Sequence, residues 1–160
     1  MSRTQTILLL ITAIAIPAAA AHSMFAPKND LCFASGAATY RISPNASSPD
    51  YRIKIDGAVA RPDLRVQLVD RPEIADFVLV DDLSAAEHAA CGSSTRVRTV
   101  TLDAETNSPD VIVSLSADAT DADYKIYVHS VRYSQQDAAA LLAAMWKANQ
   151  RRELAASAVR

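Results

Sequence analysis

The chain has 160 residues, half of them hydrophobic and 21% charged, the mixture of a soluble globular domain and not of a disordered segment. Its formal charge is −2, and −3 once Arg3 is removed, with no basic stripe, which argues against nucleic acid as a partner. Its three glycines, Gly36, Gly57 and Gly92, leave no phosphate-cradling loop or dinucleotide fingerprint, and no nucleophile-elbow serine or zinc-protease helix motif is present.

The chain opens with a secretory pattern. Arg3 makes a positive start, Ile7 to Ala20 is apolar apart from Thr12, and Pro17 precedes the small residues Ala18 to Ala21. These three parts define residues 1–21 as a signal peptide, with Ala19 and Ala21 as the cleavage pair. The competing reading is an uncleaved anchor, against which stand His22, Ser23 and the mid-run proline. Either way the rest of the chain, 22–160, is exported as one domain, and the membrane is a partner only through an uncleaved signal. Arginine and alanine are plentiful while lysine occurs only at positions 28, 54, 125 and 147. That bias points to a GC-rich bacterial genome and so to the periplasm.

Two cysteines follow the signal, Cys32 and Cys91. In an oxidising compartment an isolated pair joins, and closing a loop of that length removes denatured-state entropy worth roughly 4 kcal/mol. Separate buried thiols are the alternative. The absence of a C-x-x-C motif argues against a redox centre.

Sliding the chain by 47 positions reveals an internal repeat, 52–80 on 99–127. Asp56 falls on Asp103, Pro62 on Pro109, Asp63 on Asp110, Val66 on Val113, Leu68 on Leu115, Ala75 on Ala122 and Asp76 on Asp123. Each copy opens with an alternating strand, Arg52–Asp56 or Thr99–Asp103. A Pro-Asp turn leads to a second strand, Leu64–Val69 or Val111–Leu115, and an Ala-Asp linker to a third, Phe77–Val80 or Tyr124–Val131. The linker is short for a crossover, so the second and third strands are expected to pair antiparallel. Phe33–Ile42 is read as one extra strand and Ser43–Asp50 as a loop.

A helix is expected to end each copy. Ser84 with Glu87, and Ser134 with Asp137, have the spacing of a capping box. The first helix stops at Gly92. The second is long, with Ala138, Leu141, Leu142, Met145 and Trp146 forming one apolar stripe to be buried against the sheet. Lys147, Arg151 and Arg152 are placed at its C-terminal end, where cations complement the helix dipole; a basic membrane-binding patch is the alternative. The fold class is α+β: an antiparallel or mixed sheet of two tandem strand-strand-strand-helix repeats, covered by the C-terminal helix.

Three places offer chemistry. His88 and Cys91 stand three apart beside Asp81, Asp82 and Glu87, but a lone His–Cys pair lacks a metal's ligand count, so no metal or cofactor is expected. Aspartates at strand ends (Asp56, Asp63, Asp70, Asp76, Asp103, Asp110, Asp118 and Asp123) have the oxygen chemistry of calcium sites, yet no regular loop spacing, and backbone capping explains them better. Lys125, Tyr127, His129, Val131 and Tyr133 alternate along the last strand and share a face. Tyr127, His129 and Tyr133 there form the candidate binding surface, unless that face is a second core layer. The expected function is a non-catalytic periplasmic binding or accessory protein, its partner a periplasmic protein or small ligand. The alternative is a small hydrolase or metal-assisted enzyme using His88 or His129 with nearby aspartates.

Overall fold

The computed structural model describes residues 31–35, 38–80 and 96–158. The signal segment 1–21, Cys91, and the short helix expected between Ser84 and Gly92 with His88 all lie outside the described residues.

Eight strands and one long helix, with a short 3-10 turn at Pro72–Ile74, make up the regular structure of the described chain. They are β1 (Leu31–Ser35), β2 (Ala38–Ile42), β3 (Tyr51–Ile55), β4 (Leu64–Leu68), β5 (Phe77–Val80), β6 (Val97–Leu102), β7 (Val111–Ser116), β8 (Tyr124–His129) and α1 (Gln135–Ser157). Period-2 patterning forms the strands. In β3, Tyr51 and Ile53 are buried while Arg52 and Lys54 are only half-buried. Leu64 and Val66 in β4, and Val111 and Val113 in β7, follow the same rule. What the sequence read as one strand over Phe33–Ile42 is a hairpin, β1 pairing antiparallel with β2.

All eight strands share one mixed sheet that curves into a half-barrel, in the order β1-β2-β6-β3-β7-β4-β8-β5. Apart from the β1–β2 hairpin every pairing is parallel. The two halves of the chain are interleaved: β3 lies between β6 and β7, and β4 between β7 and β8. This corrects the expected antiparallel pairing of the second and third strands, since β4 and β5 are both parallel to β8, which separates them. The error came from the length of the linker. A five-residue strand is only about 17 Å long and skipping one neighbour adds about 10 Å sideways. Residues 56–63, eight in number, reach about 26 Å when extended, enough to return without a helix.

Strand starts keep a strict interval. β2, β3, β4 and β5 begin at Ala38, Tyr51, Leu64 and Phe77, thirteen residues apart each time. β7 and β8 begin thirteen apart as well, at Val111 and Tyr124. Each of these units is therefore one strand plus one short return, which before β5 contains a 3-10 turn at Pro72–Ile74.

Helix α1 packs across β7, β3, β6, β8, β2 and β4. Ser134 caps its start: the hydroxyl accepts from the Asp137 N–H at 3.1 Å, and the Asp137 carboxylate accepts from the Ser134 N–H at 2.8 Å. Expected was one apolar stripe; instead Ala138 to Ala144 are buried on every side. Leu141 and Leu142 lie in the core as expected, whereas Met145 and Trp146 are half-buried at its margin. The alanines explain the depth. With only a methyl group at most positions, the helix backbone settles into the concave trough, touching six strands at once. The helix also runs on to Ser157, so Arg151 and Arg152 stand well before its end and no base occupies the last turn. Their expected role at the helix dipole is thereby overturned, because the dipole's influence is confined to the last turn.

Two outcomes follow. A fragment ending at residue 95 should lose most of the sheet signal by circular dichroism, keeping at most that of the β1–β2 hairpin, because β3, β4 and β5 find sheet neighbours only in the second half. A first half whose strands paired with one another would keep that signal. Ala140→Leu should cost about 1–3 kcal/mol in urea melts by overfilling the trough, although leucine is a good helix former.

Candidate functional site

The aspartates at the strand starts make long-range bonds. The Asp63 carboxylate accepts from the Ile112 N–H at 2.7 Å while the Asp63 N–H donates to the Ile112 carbonyl at 2.9 Å. The same two-point clasp joins Asp50 to Thr99, Asp110 to Arg52, Asp123 to Arg65 and Asp76 to Lys125. These are the five consecutive parallel seams from β6/β3 to β8/β5, one clasp at each. Asp56 and Asp103 instead cap locally, accepting from the N–H two residues on. Every one of these carboxylates is thus occupied by backbone. Among the described residues no group of three or more His, Cys, Asp or Glu is arranged to hold a metal.

On the last strand the faces separate cleanly. Ile126 is buried and Val128 packs against the core, so Tyr127 and His129 stand on the opposite, outer face. Their rings stack with centroids 6.4 Å apart and planes 11° from parallel. Val78 and Val80 of the edge strand pair in register with Tyr127 and His129 and are 43% and 49% exposed. Four side chains therefore make one patch of aromatic and aliphatic surface beside the sheet edge. Tyr133 is not part of it. The strand stops at His129, Ser130 bonds the N–H groups of Arg132 and Tyr133 in a tight turn, and Tyr133 enters the core. Its hydroxyl donates to the Cys32 carbonyl at 2.8 Å. Of the predicted site residues, Tyr127 and His129 come together and Tyr133 goes elsewhere.

A basic cavity of about 310 Å³ opens at the strand-start end of the sheet, against α1. Arg96 and Arg98 line it from β6 and the residue before it, Arg151 and Arg152 from the helix, and Tyr51 from β3. Asp50 is the carboxylate in the lining. Tyr51 is buried, and its ring lies 6.0 Å from the Arg98 guanidinium and 5.1 Å from that of Arg151. Arg98 Nη1 donates to the Tyr51 hydroxyl at 2.6 Å. Neighbouring Tyr40 is held above the usual phenol range, chiefly because burial disfavours its phenolate.

No family model, curated protein or solved structure matches the chain.

The geometry therefore speaks alone. The patch offers stacking and apolar contact, and the cavity offers charge. Sequence reasoning missed the cavity because its arginines are far apart in the chain. The one local hint is Arg96-Val97-Arg98, whose alternation sends both guanidiniums to one side of a strand.

The clasps can be tested singly. Asp63→Ala should cost about 1–2 kcal/mol in urea melts, the range of a charge-assisted bond moderated by exposure. Asp63→Asn, which keeps an acceptor oxygen, should cost less than about 1 kcal/mol. Equal losses in the two would mean that the carboxylate oxygen does not hold the seam.

Proposed function

We infer that the protein is exported to the bacterial periplasm and works there as a non-catalytic binding module. The carrying observation is the patch of Tyr127, His129, Val78 and Val80 on the outer face of the sheet. A stacked aromatic pair flanked by half-exposed valines is the composition by which proteins anchor a partner, and it is costly to leave in water without one. His129 forms no ion pair among the described residues, and the strand-start aspartates are spent on backbone clasps. Both features favour binding over the hydrolytic alternative.

Three parts of the reading accompany it. Residues 1–21 direct export. A Cys32–Cys91 bridge then ties the first strand to the segment before β6, and the lack of any free cysteine among the described residues supports it. The halves arose by duplication: β3, β4 and β5 begin 47 residues before Arg98, Val111 and Tyr124, the shift at which their residues match.

The test compares wild type with Tyr127→Ala/His129→Ala as bait against periplasmic extract. Since both side chains are on the outer face, the variant should lose less than about 1 kcal/mol of stability in urea melts. Its retention of the proteins held by wild type should fall at least tenfold. Undiminished retention by a well-folded variant would overturn the assignment of the patch. Turnover of an ester or phosphoester by wild type, lost in His129→Ala, would overturn the non-catalytic reading.

A further inference from the structure

The cavity between the starts of β3 and β6 and the second half of α1 carries an inference of its own, independent of the aromatic patch on the other face. Four guanidiniums line an open space of about 310 Å³, Arg96 and Arg98 from the start of β6 and Arg151 and Arg152 from α1. Two carboxylates oppose them. Asp50, in the lining, is already bonded to the Thr99 N–H, and Asp110 pairs with Arg151 at 3.2 Å. Two of the guanidiniums have no carboxylate partner among the described residues. Arg98 has a phenol as its hydrogen-bond partner, and Arg152 joins no ion pair among the described residues. Holding like charges together costs free energy that a multivalent anion returns.

The donor geometry narrows the class of anion. Guanidinium is planar and presents paired N–H groups that fit the oxygens of phosphate bidentately. Donors from β6 on one side and α1 on the other suit an oxyanion with oxygens directed several ways, which a planar carboxylate lacks. Tyr51 adds to this. Because its oxygen accepts from Arg98, its own hydrogen is left to donate. The Arg98 and Arg151 guanidiniums within 6.0 Å of the Tyr51 ring are held over it by cation–π attraction, so the donors are set before any ligand arrives. Arg98 and Arg152, which join no ion pair among the described residues, suit a phosphate monoester, which carries about −1.5 to −2 near neutral pH.

We propose that this arginine cavity binds a phosphate monoester group, with Arg98, Arg151 and Arg152 gripping its oxygens and Tyr51 donating a further hydrogen bond. The group belongs to a small soluble ester or to a lipid headgroup, and both present the same oxygens.

Calorimetric titration of the full exported chain with glycerol 3-phosphate provides the test, at constant ionic strength set with sodium chloride. Saturable one-site binding is expected. Arg152→Gln, on an exposed part of the helix, should weaken it at least tenfold while leaving the thermal midpoint unchanged. Arg152→Lys, which keeps the charge and loses the fork, should fall between. Cosedimentation with vesicles of phosphatidylcholine containing phosphatidic acid separates the sources. Binding to these vesicles without a calorimetric response assigns a lipid headgroup; the converse assigns a soluble ester. In both cases Arg152→Gln must weaken the binding at least tenfold. Heat that sodium chloride alone reproduces, or binding that Arg152→Gln retains in full in both arms, would overturn the proposal.

Discussion

A parallel seam must be started correctly, and here each of five consecutive seams is started by an aspartate. A parallel pair has no tight turn to set its register, unlike a hairpin, and its hydrogen bonds are slanted and slightly weaker. The clasp supplies what the turn would have supplied. In the residue before each strand, the backbone N–H and the carboxylate take the carbonyl and the N–H of a single residue on the neighbouring strand. That two-point contact permits one register. A slip by one residue would break it and would also turn Ile53, Val66, Val113 and Ile126 out of the core. The β2/β6 seam has Val97 at its start and no clasp, and it borders the antiparallel hairpin.

Interleaving follows from the same arrangement. Each return segment skips one position in the sheet, and the other half of the chain fills it. Neither half can bury its strands alone, so folding waits for contacts 49 to 58 residues apart. Such contacts close large loops before they stabilise anything, which slows folding. The helix follows both halves in the chain and completes the core, and its alanines fit a trough that exists only when both halves have contributed strands.

Much of this was legible in the sequence, but not the pairing. Alternation in Tyr51–Ile55 or Val111–Ser116 reports which residues face the core, because strand side chains alternate whatever lies beside them. The capping box at Ser134 is likewise a local signal, and it marks the helix start within a residue. Strand partners are decided by neighbours distant in the chain, and linker length alone misled because these strands are so short. The shift of 47 residues was visible, whereas the finer interval of thirteen was hidden: only the strand pattern and the closing aspartate recur. Asp50, Asp63 and Asp76, then Asp110 and Asp123, mark that interval. Asp63, Asp76, Asp110 and Asp123 read locally as turn caps, and Asp50 as the end of a loop, because nothing in a sequence distinguishes a carboxylate that reaches two residues from one that reaches across a seam. The aromatic site was half legible for a similar reason. Tyr127 and His129 lie inside the strand and obey its alternation, but Tyr133 lies beyond the point where Ser130 ends it.

Fold and charge meet at Asp110. One of its carboxylate oxygens accepts from the Arg52 N–H and starts the β3/β7 seam, and the other accepts from Arg151 of the helix. The bond that sets the strand register therefore also sets how the helix lies over the strand starts. Arg151 continues from that carboxylate to the Tyr51 ring, and Tyr51 is the first residue of β3, directly after the clasp residue Asp50. Two neighbouring clasps thus hold the floor and one wall of the basic cavity. A surface ion pair is worth little by itself. Here its oxygen is already fixed by a backbone bond, so Arg151 loses less freedom in meeting it than a free pair would.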